Sequence, residues 1–424
     1  MVRLKEHKSS TWNKPIERVP SPVRVFLPMV QHLGKACVPQ VKPLDRVKVG
    51  QKIAMADAHV YSPVHSSVSG TVAEIKDVPH PVLGMSKAII IDNDGMDEQL
   101  NKASGPGTKE QIKGLSPSQI RDIIFESGIV GMGGSGFPTH IKLNPPGKTK
   151  DLIINGAECE PYLTGDHRLM VEKPEEILSG IEAIAQCLGA ENIHIAIEEN
   201  KPDAIKAFKA FKGLKVSVLE SQYPQGGEKQ LIKSVLGKEV PGGKLPFDIG
   251  VVVHNVATVF AVYEALYLGK PLYERVVTVS GSCVMSPRNL LVRLGTPIRD
   301  VIKYCGILKE EPSKIIIGGP MMGIAQYSDD VPVIKTTTGV LLFNEEEAAV
   351  RQEAACIRCG ACVRACPASL MPCLINMASL KSLWSKTKDL GAADCIECGC
   401  CNFVCPANRN ITQSIKRAKL EEGK

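Results

Sequence analysis

Eight cysteines near the carboxyl end have the residue type and spacing to hold iron–sulfur clusters. They lie in two runs, Cys356-Ile-Arg-Cys359-Gly-Ala-Cys362-Val-Arg-Ala-Cys366-Pro367 and Cys395-Ile-Glu-Cys398-Gly-Cys-Cys401-Asn-Phe-Val-Cys405-Pro406, which share one pattern. Three thiolates at this spacing can bind three corners of one cube, whereas the fourth cysteine usually ligates the neighbouring cluster. The pattern therefore predicts two [4Fe–4S] clusters, one held by Cys356, Cys359, Cys362 and Cys405, the other by Cys366, Cys395, Cys398 and Cys401.

A pair of zinc sites or a disulfide framework is the alternative for these cysteines. Zinc sites do not need a fourth cysteine followed by proline in both runs. Ten of the 15 cysteines lie after residue 350, which is typical of a metallocluster protein and not of a secreted disulfide scaffold. Cys373 and Cys400 are left over, and we expect them to be buried thiols that bind no iron.

A helix must connect the two cysteine runs. Apolar residues recur there at helical spacing and predict an amphipathic helix whose apolar face lies in the core, namely Leu370, Cys373, Leu374, Met377, Leu380 and Trp384. The predicted module resembles the helical ferredoxin-like portions of fumarate reductase more than a small β-rich ferredoxin.

A second chemical signal is the glycine-rich stretch Gly131-Met-Gly133-Gly134-Ser-Gly136-Phe137-Pro138. It satisfies G-x-G-x-x-G, but a dinucleotide fingerprint needs a strand before it and a helix after it. Here a helix that begins at Ser116-Pro117 comes before, and Pro138 follows. The stretch is either a backbone cradle for phosphate or flavin, or a flexible connector.

Alternating strands and helices follow the glycine-rich stretch. Strands are predicted at 152–154, 192–197, 215–219 and 249–253, and helices at 174–188, 202–211 and 228–236, with a last helix from Asn255 to Gly269. This rhythm predicts a mainly parallel sheet that binds ligands at the carboxyl ends of its strands. Glu158 and Glu160 follow the first strand, where they are either site residues or ordinary solvated acids.

The amino-terminal part reads as short β-strands broken by proline and glycine. Residues 47–54 and 66–75 resemble the two halves of a biotinyl/lipoyl-type barrel-sandwich, but no lysine lies between Lys52 and Lys76 to carry a prosthetic group. We therefore expect a docking domain, joined to the next domain by a linker over 93–114.

Charge and hydropathy exclude several classes of protein. The net charge is +6, and most of the basic excess lies in residues 351–424, which hold 11 Lys/Arg against 6 Asp/Glu. This excess offsets the negative charge of the clusters. We therefore expect no nucleic-acid partner. The apolar stretch 249–269 divides better into a strand and a helix than into a membrane span. No amino-terminal signal is visible, so we expect the protein on the cytoplasmic side, attached to a membrane through partners.

Four segments carry a family resemblance. Gly131-Met-Gly-Gly-Ser-Gly-Phe-Pro-Thr, Asn155-Gly-Ala-Glu-Cys-Glu-Pro, Gly226-Gly-Glu-Lys-Gln-Leu and Asn255-Val-Ala-Thr resemble the FMN- and NADH-binding segments of the respiratory complex I flavoprotein subunit. With the barrel-sandwich and an SLBB-like region over 275–343, nearly the whole chain resembles the C subunits of the Rnf complexes, ion-translocating ferredoxin:NAD oxidoreductases of bacterial membranes.

The resemblance implies a multidomain α/β and α+β fold. Its parts are a barrel-sandwich domain with its linker (1–114), a Rossmann-like FMN/NADH-binding domain (115–271), a β-grasp SLBB domain (272–345) and a helical two-cluster ferredoxin domain (346–424). Gly-Gly-Pro-Met-Met at 318–322 is expected to be a strand-ending turn with a buried pair of sulfurs.

The resemblance also implies site residues. FMN would be surrounded by Gly131, Gly133, Gly134, Lys142, Asn155, Glu228, Asn255 and Thr258. The nicotinamide nucleotide would lie nearest Phe137, Glu160 and Lys244. Ala157 and Gly227 depart from the complex I pattern, which has acidic residues at these positions, so we expect FMN to be bound differently or less tightly.

The implied function is electron transfer between NAD(H), FMN and two clusters, by a peripheral subunit that needs no catalytic side chain. Its partners would be integral membrane and iron–sulfur subunits, with ferredoxin reached through one of them. A soluble NADH-dependent cobalamin reductase and a cluster-only electron-transfer adaptor are the alternatives.

Overall fold

The computed structural model describes residues 1–100 and 107–422. The amino-terminal strands are β1 (Ile16–Arg18), β2 (Arg24–Pro28), β3 (Val38–Pro39), β4 (Arg46–Val47), β5 (Lys52–Met55), β6 (Val64–His65), β7 (Gly70–His80) and β8 (Gly84–Asn93). All but β1 form two sheets of order β2-β8-β7-β4 and β3-β5-β6, as expected for a barrel-sandwich. The strands β7 and β8 make a long antiparallel hairpin.

Part of the predicted linker is helical. Its residues 101–106 lie outside the described residues, but Thr108 caps a short helix, α1 (Lys109–Lys113), through a reciprocal bond with Gln111. The next helix, α2 (Pro117–Glu126), has the predicted capping box between Ser116 and Gln119. Both caps satisfy backbone N–H groups that a helix leaves unpaired.

A parallel sheet flanked by helices follows. Its elements are α3 (Thr139–Lys142), β9 (Asp151–Gly156), α4 (Gly165–Glu172), α5 (Pro174–Leu188), β10 (Asn192–Glu198), α6 (Pro202–Lys209), β11 (Lys215–Leu219), α7 (Glu228–Leu236), β12 (Val251–Asn255) and α8 (Val256–Leu268), with a 3-10 turn at Pro246–Ile249. The predicted bounds of α5, β11 and α7 are confirmed to the residue. All strand pairs in the order β11-β10-β9-β12 are parallel.

The order of this sheet reverses beside β9. From β9 the chain adds β10 and β11 on one side and then returns to place β12 on the other. A crevice opens at such a switch point, outside the carboxyl ends of the strands, and this is where open parallel sheets bind ligands. Asn155 and Asn255 are register partners at those ends, so their side chains enter the crevice region together.

The third part is a mixed sheet that includes the start of the chain. Its elements are β13 (Glu274–Ser280), β14 (Arg288–Arg293), α9 (Ile298–Tyr304), β15 (Lys314–Ile317), β16 (Ile324–Gln326) and β17 (Gly339–Phe343). The strand order is β1-β14-β13-β17-β15-β16, with Ile16 beside Asn289. The turn predicted at 318–322 joins β15 to β16, but the buried sulfur pair is wrong, because Met322 is 49% exposed.

The last part is helical. Its elements are α10 (Glu345–Ala348), α11 (Ala361–Ala365), α12 (Pro372–Leu380), α13 (Trp384–Asp389), α14 (Cys400–Phe403) and α15 (Ile411–Glu422), with a 3-10 turn at Ala392–Asp394. The connection between the cysteine runs is therefore two helices and not one.

The predicted buried face of that connection is partly wrong. Leu374, Met377 and Leu380 are exposed, whereas α12 buries the neighbouring face that carries Asn376 and Ser379. That face is held against α15 by hydrogen bonds, in which the Asn376 amide donates to the Ser414 hydroxyl (2.7 Å) and the Ser379 hydroxyl to the Ser414 carbonyl (2.7 Å). The same face buries Ile375 and Ala378, so apolar packing and polar pairing with α15 act together there.

The stretch 249–269 forms β12 and α8, as predicted, with Asn255 as the N-cap of α8. Among the described residues, none of the helices combines the length and the hydropathy needed to cross a bilayer.

Candidate functional site

A cavity of about 630 Å³ lies at the carboxyl ends of β9 and β12. It is lined by 11 of the 12 predicted cofactor residues, which are Gly131, Gly133, Gly134, Phe137, Lys142, Asn155, Glu158, Glu160, Glu228, Asn255 and Thr258. Lys244 is not in this lining. It is exposed, in a loop whose Gly243 N–H bonds to Asp394 of the carboxyl-terminal part (3.2 Å), so the structure does not bring it to the others.

The glycine-rich loop forms one wall of the cavity and is closed by its own backbone. The Gly131 N–H donates to the Phe137 carbonyl (2.8 Å), and the Thr258 hydroxyl accepts from the Met132 N–H (2.8 Å). A Cβ atom at Gly133 would lie 3.2 Å from the Cβ of Asn255, so the loop backbone approaches the end of β12 closely. These contacts make the loop a fixed cradle and not a loose connector.

The two asparagines shape the floor of the cavity. The Asn155 side chain donates to the Gly226 carbonyl (2.9 Å) and accepts from the Ala157 N–H (3.1 Å). The Asn255 amide donates to the Asp166 carboxylate (2.6 Å), while its oxygen accepts from the Ala257 N–H and so caps α8. Each asparagine thus ties the end of a strand to a neighbouring loop.

Acidic groups in the cavity are partnered in different ways. Glu228, the first residue of α7, forms an ion pair with Lys142. Glu158 accepts from the backbone N–H groups of Asp166 (2.7 Å) and His167 (3.2 Å) and holds the start of α4. Burial, and then the nearby Glu158 charge, raises the pKa of Asp166 to about 7.

Glu160 connects the cavity to the third part of the chain. Its carboxylate accepts from the backbone N–H groups of Met321 (3.0 Å) and Met322 (2.9 Å) in the β15–β16 turn. Burial raises its pKa to about 7, against the effect of those two bonds. The acidic residues predicted here are structural supports as well as candidates for ligand contact.

Two buried lysines support the loop that carries these acids. Lys8 donates to the carbonyls of Glu158 (2.8 Å), Glu160 (3.0 Å) and Leu163 (2.6 Å). Lys201 donates to the carbonyl of Ala157 (2.6 Å) and pairs with Glu198 (2.9 Å). Because each amino group has hydrogen-bond partners, its burial is tolerated. Both side chains hold the backbone of the loop that carries Glu158 and Glu160.

Polar atoms in the cavity lack partners within the protein. Among the described residues, the buried Thr139 hydroxyl and Nε2 of His254 have no hydrogen-bond partner, and both residues line the cavity. Burial lowers the pKa of His254 well below its usual value, so its imidazole is neutral. Buried polar groups are normally paired, so these atoms, with the close-fitting glycine cradle, fit a polar flat cofactor such as a flavin nucleotide.

Several lining residues were missed from the sequence. Arg275 is buried and donates through both terminal nitrogens to the Met132 carbonyl in the glycine-rich loop (3.3 Å each). Tyr223, Val82 and Ile324 also line the cavity. Val82 and Arg275 come from segments outside the motifs, whereas Tyr223 shortly precedes the Gly226 motif and Ile324 shortly follows the turn at 318–322; no local pattern marks any of them as lining the cavity.

Five cysteines line a small void of about 20 Å³ in the carboxyl-terminal part. Four of them, Cys366, Cys395, Cys398 and Cys401, we call the inner set, and the fifth is Cys400. The inner set comprises the residues assigned to one cluster from the sequence. The set fits a [4Fe–4S] cluster. Three of its cysteines come from the second run and Cys366 comes from the first, as expected when the last cysteine of one run ligates the cluster of the other.

The remaining assigned cysteines, Cys356, Cys359, Cys362 and Cys405, form the outer set. Cys356 and Cys359 are exposed on a loop, whereas Cys362 is buried. Within residues 1–100 and 107–422, no three His, Cys, Asp or Glu side chains are close enough to hold a single metal ion. A [4Fe–4S] cluster does not need such close convergence. Each of its four thiolates binds a different iron atom, whereas the ligands of a zinc site all bind one ion.

The left-over thiols are inside the protein. Cys400 is fully buried, and its thiol donates to the Tyr223 carbonyl (3.8 Å). Cys373 is half-buried. Cys373 does not line the void, whereas Cys400 does, so the expectation that Cys400 binds no iron stays a prediction.

The cavity and the inner set share a wall. Ile396 lines both the cavity and the void between the cysteines. On the same side the buried Tyr223, which lines the cavity, donates its hydroxyl to the Cys398 carbonyl (2.8 Å). One layer of side chains therefore separates the candidate nucleotide cavity from the inner set.

Family models match the chain in the order of its parts. The RnfC barrel sandwich hybrid domain matches residues 2–96, the Nuo51 FMN-binding domain 124–264, the SLBB domain 276–325 and the 4Fe-4S binding domain 349–369. These matches confirm the predicted fold classes of all four parts. The FMN-binding and 4Fe-4S matches also confirm the expected cofactors, FMN and [4Fe–4S] clusters.

Relatives match over nearly the whole chain. The chain is 47% identical, over 99% of its length and 93% of the relative, to the C subunit of the proton-translocating ferredoxin:NAD(+) oxidoreductase complex of Clostridium ljungdahlii. It is 42% identical, over 98% of its length and 94% of the relative, to the Na(+)-translocating counterpart of Acetobacterium woodii. It is also 41% identical, over 88% of its length and 73% of the relative, to the C subunit of the ion-translocating oxidoreductase complex of Rhodobacter capsulatus. The chain therefore belongs to the family of C subunits of the Rnf ion-translocating ferredoxin:NAD oxidoreductase complexes.

Proposed function

We propose that this chain exchanges electrons between NAD(H) and a one-electron partner, with FMN in the cavity and a [4Fe–4S] cluster in each cysteine set. The observation that carries the proposal is the shared wall at Ile396, which puts the inner set directly beside the cavity. Bound FMN would supply the conversion between the two electrons of a hydride and the single electrons that a cluster accepts.

The chain's own residues bind and orient the reactants. We assign FMN to the switch-point end of the cavity, where the glycine cradle, Asn155, Asn255 and the Lys142–Glu228 pair meet. The nicotinamide nucleotide is assigned to the part lined by Phe137 and Glu160, and Lys244 is omitted because the structure leaves it outside. The hydride step itself requires no acid–base side chain, since the hydride carries two electrons with its proton; that proton would be released to water when the electrons leave singly for a cluster.

The positions of the cysteine sets imply an order. The inner set is placed to exchange electrons with the cavity, and the outer set, with Cys356 and Cys359 exposed, is placed to exchange them with another protein. We infer that this electron partner is a subunit of an Rnf-type complex. The complex would contain integral membrane and iron–sulfur subunits, and ferredoxin would be reached through one of them. The chain would then lie at the cytoplasmic side of the membrane as a peripheral subunit.

The test uses the full chain, purified anaerobically and reconstituted with iron, sulfide and FMN. We expect about eight iron atoms per chain, quenching of FMN fluorescence on binding, and NADH oxidation with an artificial one-electron acceptor. An FMN-loaded, iron-replete preparation that does not oxidise NADH would refute the proposal. Full iron without any FMN binding would instead support the cluster-only adaptor.

A further inference from the structure

The mouth of the cavity carries apolar side chains that come from outside the parallel-sheet part. Val82, Met322 and Ile324 line the cavity, yet they are 56%, 49% and 39% exposed. Val82 lies in the β7–β8 turn, and the other two lie in and after the β15–β16 turn. Exposed apolar side chains that converge on one cavity are typical of a binding surface. We call these three residues the lip.

The lip is fixed in place by hydrogen bonds. Nδ1 of His80 accepts from the backbone N–H groups of Val82 (3.1 Å) and Leu83 (3.0 Å), which sets the shape of the hairpin turn. The Gln326 amide donates to the Pro81 carbonyl (3.0 Å) and so joins the hairpin to β16. The apolar wall is therefore preorganised, which reduces the entropy that a ligand must overcome on binding.

The chemistry of the lip differs from that of the rest of the cavity. The switch-point end is polar, with two asparagines, the Lys142–Glu228 pair and an unpartnered His254 nitrogen. A nicotinamide dinucleotide carries its two flat rings at opposite ends of a polar ribose–pyrophosphate chain. If the nicotinamide reacts at the inner end of the cavity, the adenine must lie towards the outer end, where the lip offers an apolar surface.

We propose that Val82, Met322 and Ile324 form the adenine subsite of the dinucleotide, so that the barrel-sandwich domain is part of the nucleotide site. The inference rests on the proposed function, because it takes NAD(H) as the substrate. It gives the long β7–β8 hairpin a role in substrate selection. A nucleotide without adenine would gain nothing from the lip.

The test compares ligands that contain and lack adenine. The reconstituted full chain is titrated calorimetrically with ADP-ribose and with nicotinamide mononucleotide, in wild type and in the double variant Val82→Ala with Ile324→Ala. Removal of the apolar area should weaken the affinity for ADP-ribose about three- to tenfold. The affinities for nicotinamide mononucleotide and FMN should not change. Leu83→Ala is the matched control, because Leu83 is 55% exposed in the same turn but does not line the cavity.

Kinetics give a second readout. The KM for NADH should rise by the same factor in the double variant, while the KM for reduced nicotinamide mononucleotide stays constant. Equal losses for both ligands, weaker FMN binding, or no change in ADP-ribose affinity would each overturn the inference. If wild type oxidises neither nucleotide, the proposed function fails, but the ADP-ribose titration still decides whether the lip binds adenine.

Discussion

Glu160 places a titratable group between the nucleotide cavity and the β15–β16 turn. Its carboxyl group is buried, accepts from two backbone N–H groups of that turn, and has a pKa raised to about 7. For an acid, a raised pKa means that the folded protein holds a proton that the unfolded chain has already released. The residue therefore stabilises the fold less as the pH rises.

We expect Glu160→Gln to remove this dependence. Between the ordinary pKa of 4.5 and the folded value of about 7, the wild type should lose stability as the pH rises, by about 3 kcal/mol at most over the window. The variant's free energy of unfolding, relative to wild type, should therefore be higher at pH 7 than at pH 5. Asp166, with its pKa also near 7, titrates in both proteins and cancels. Denaturant unfolding of both proteins at pH 5 and pH 7 checks this. The same difference in free energy of unfolding between variant and wild type at both pH values would contradict it.

Helix α8 begins at the wall of the cavity, because its N-cap residue, Asn255, also lines the cavity. Asn255 caps α8 through the Ala257 N–H, reaches Asp166 with its other amide atom, and lies beside Gly133 of the glycine-rich loop. The same side chain thus starts a helix and shapes the cavity wall. Its two tasks can be separated by comparison with a cap elsewhere.

Asn255→Ala should lower both stability and FMN affinity. Loss of the cap should cost about 1 kcal/mol, and the freed end of β12 should weaken FMN binding as measured by fluorescence quenching. The control is Ser116→Ala, which removes the cap of α2 without altering the lining of the cavity. The control should lose similar stability and keep its FMN affinity. Unchanged FMN binding in Asn255→Ala would move the flavin away from this end of the cavity.

Elements governed by local signals were predictable from the sequence. The bounds of α5 and α7 follow from Pro174 at the start of α5, from Gly189 and Gly237 after the two helices, and from their apolar periods, and β11 follows from its short run of β-branched and apolar residues. The buried face of α12 was not predictable, because both of its faces carry apolar residues. The face that packs carries Ile375 and Ala378 and also makes hydrogen bonds from Asn376 and Ser379 to Ser414 of α15, a contact that local sequence does not show.

Across the whole molecule, the cavity is assembled from all four parts of the chain. Asn155, Asn255 and the glycine-rich loop were found from the sequence because each lies in a motif at the end of a predicted strand or helix. Val82, Arg275, Tyr223 and Ile396 were not, because only tertiary packing brings them to the same place. The two cysteine sets stay a prediction from their spacing, and the position of the inner set beside the cavity could not be predicted from the sequence.

Loss of one cluster should have different consequences for the two sets. We expect Cys359→Ala, in the outer set, and Cys398→Ala, in the inner set, each to retain about four iron atoms. In Cys359→Ala, NADH should still reduce the remaining inner cluster. In Cys398→Ala, dithionite but not NADH should reduce the remaining outer cluster, because the relay beside the cavity is missing.

Low-temperature electron paramagnetic resonance after each reductant measures these outcomes. Cys400→Ala serves as the control: Cys400 lines the void beside the inner set, but it does not fit the spacing shared by the two cysteine runs, so the variant should keep about eight iron atoms. Loss of iron in Cys400→Ala would show that the assignment of ligands is wrong. Reduction of the outer cluster by NADH in Cys398→Ala would show that the order is wrong.

The pairing of β1 with β14 has a consequence for biosynthesis. Ile16 lies beside Asn289, and Val2 is paired with Tyr223, so the earliest residues complete their contacts only with segments made much later. At ribosomal rates, the strand that pairs with β1 emerges roughly 15–60 s after β1 itself. During translation the segment that becomes β1 therefore stays unpaired until β14 has been made, so its part of the sheet can form only late in folding.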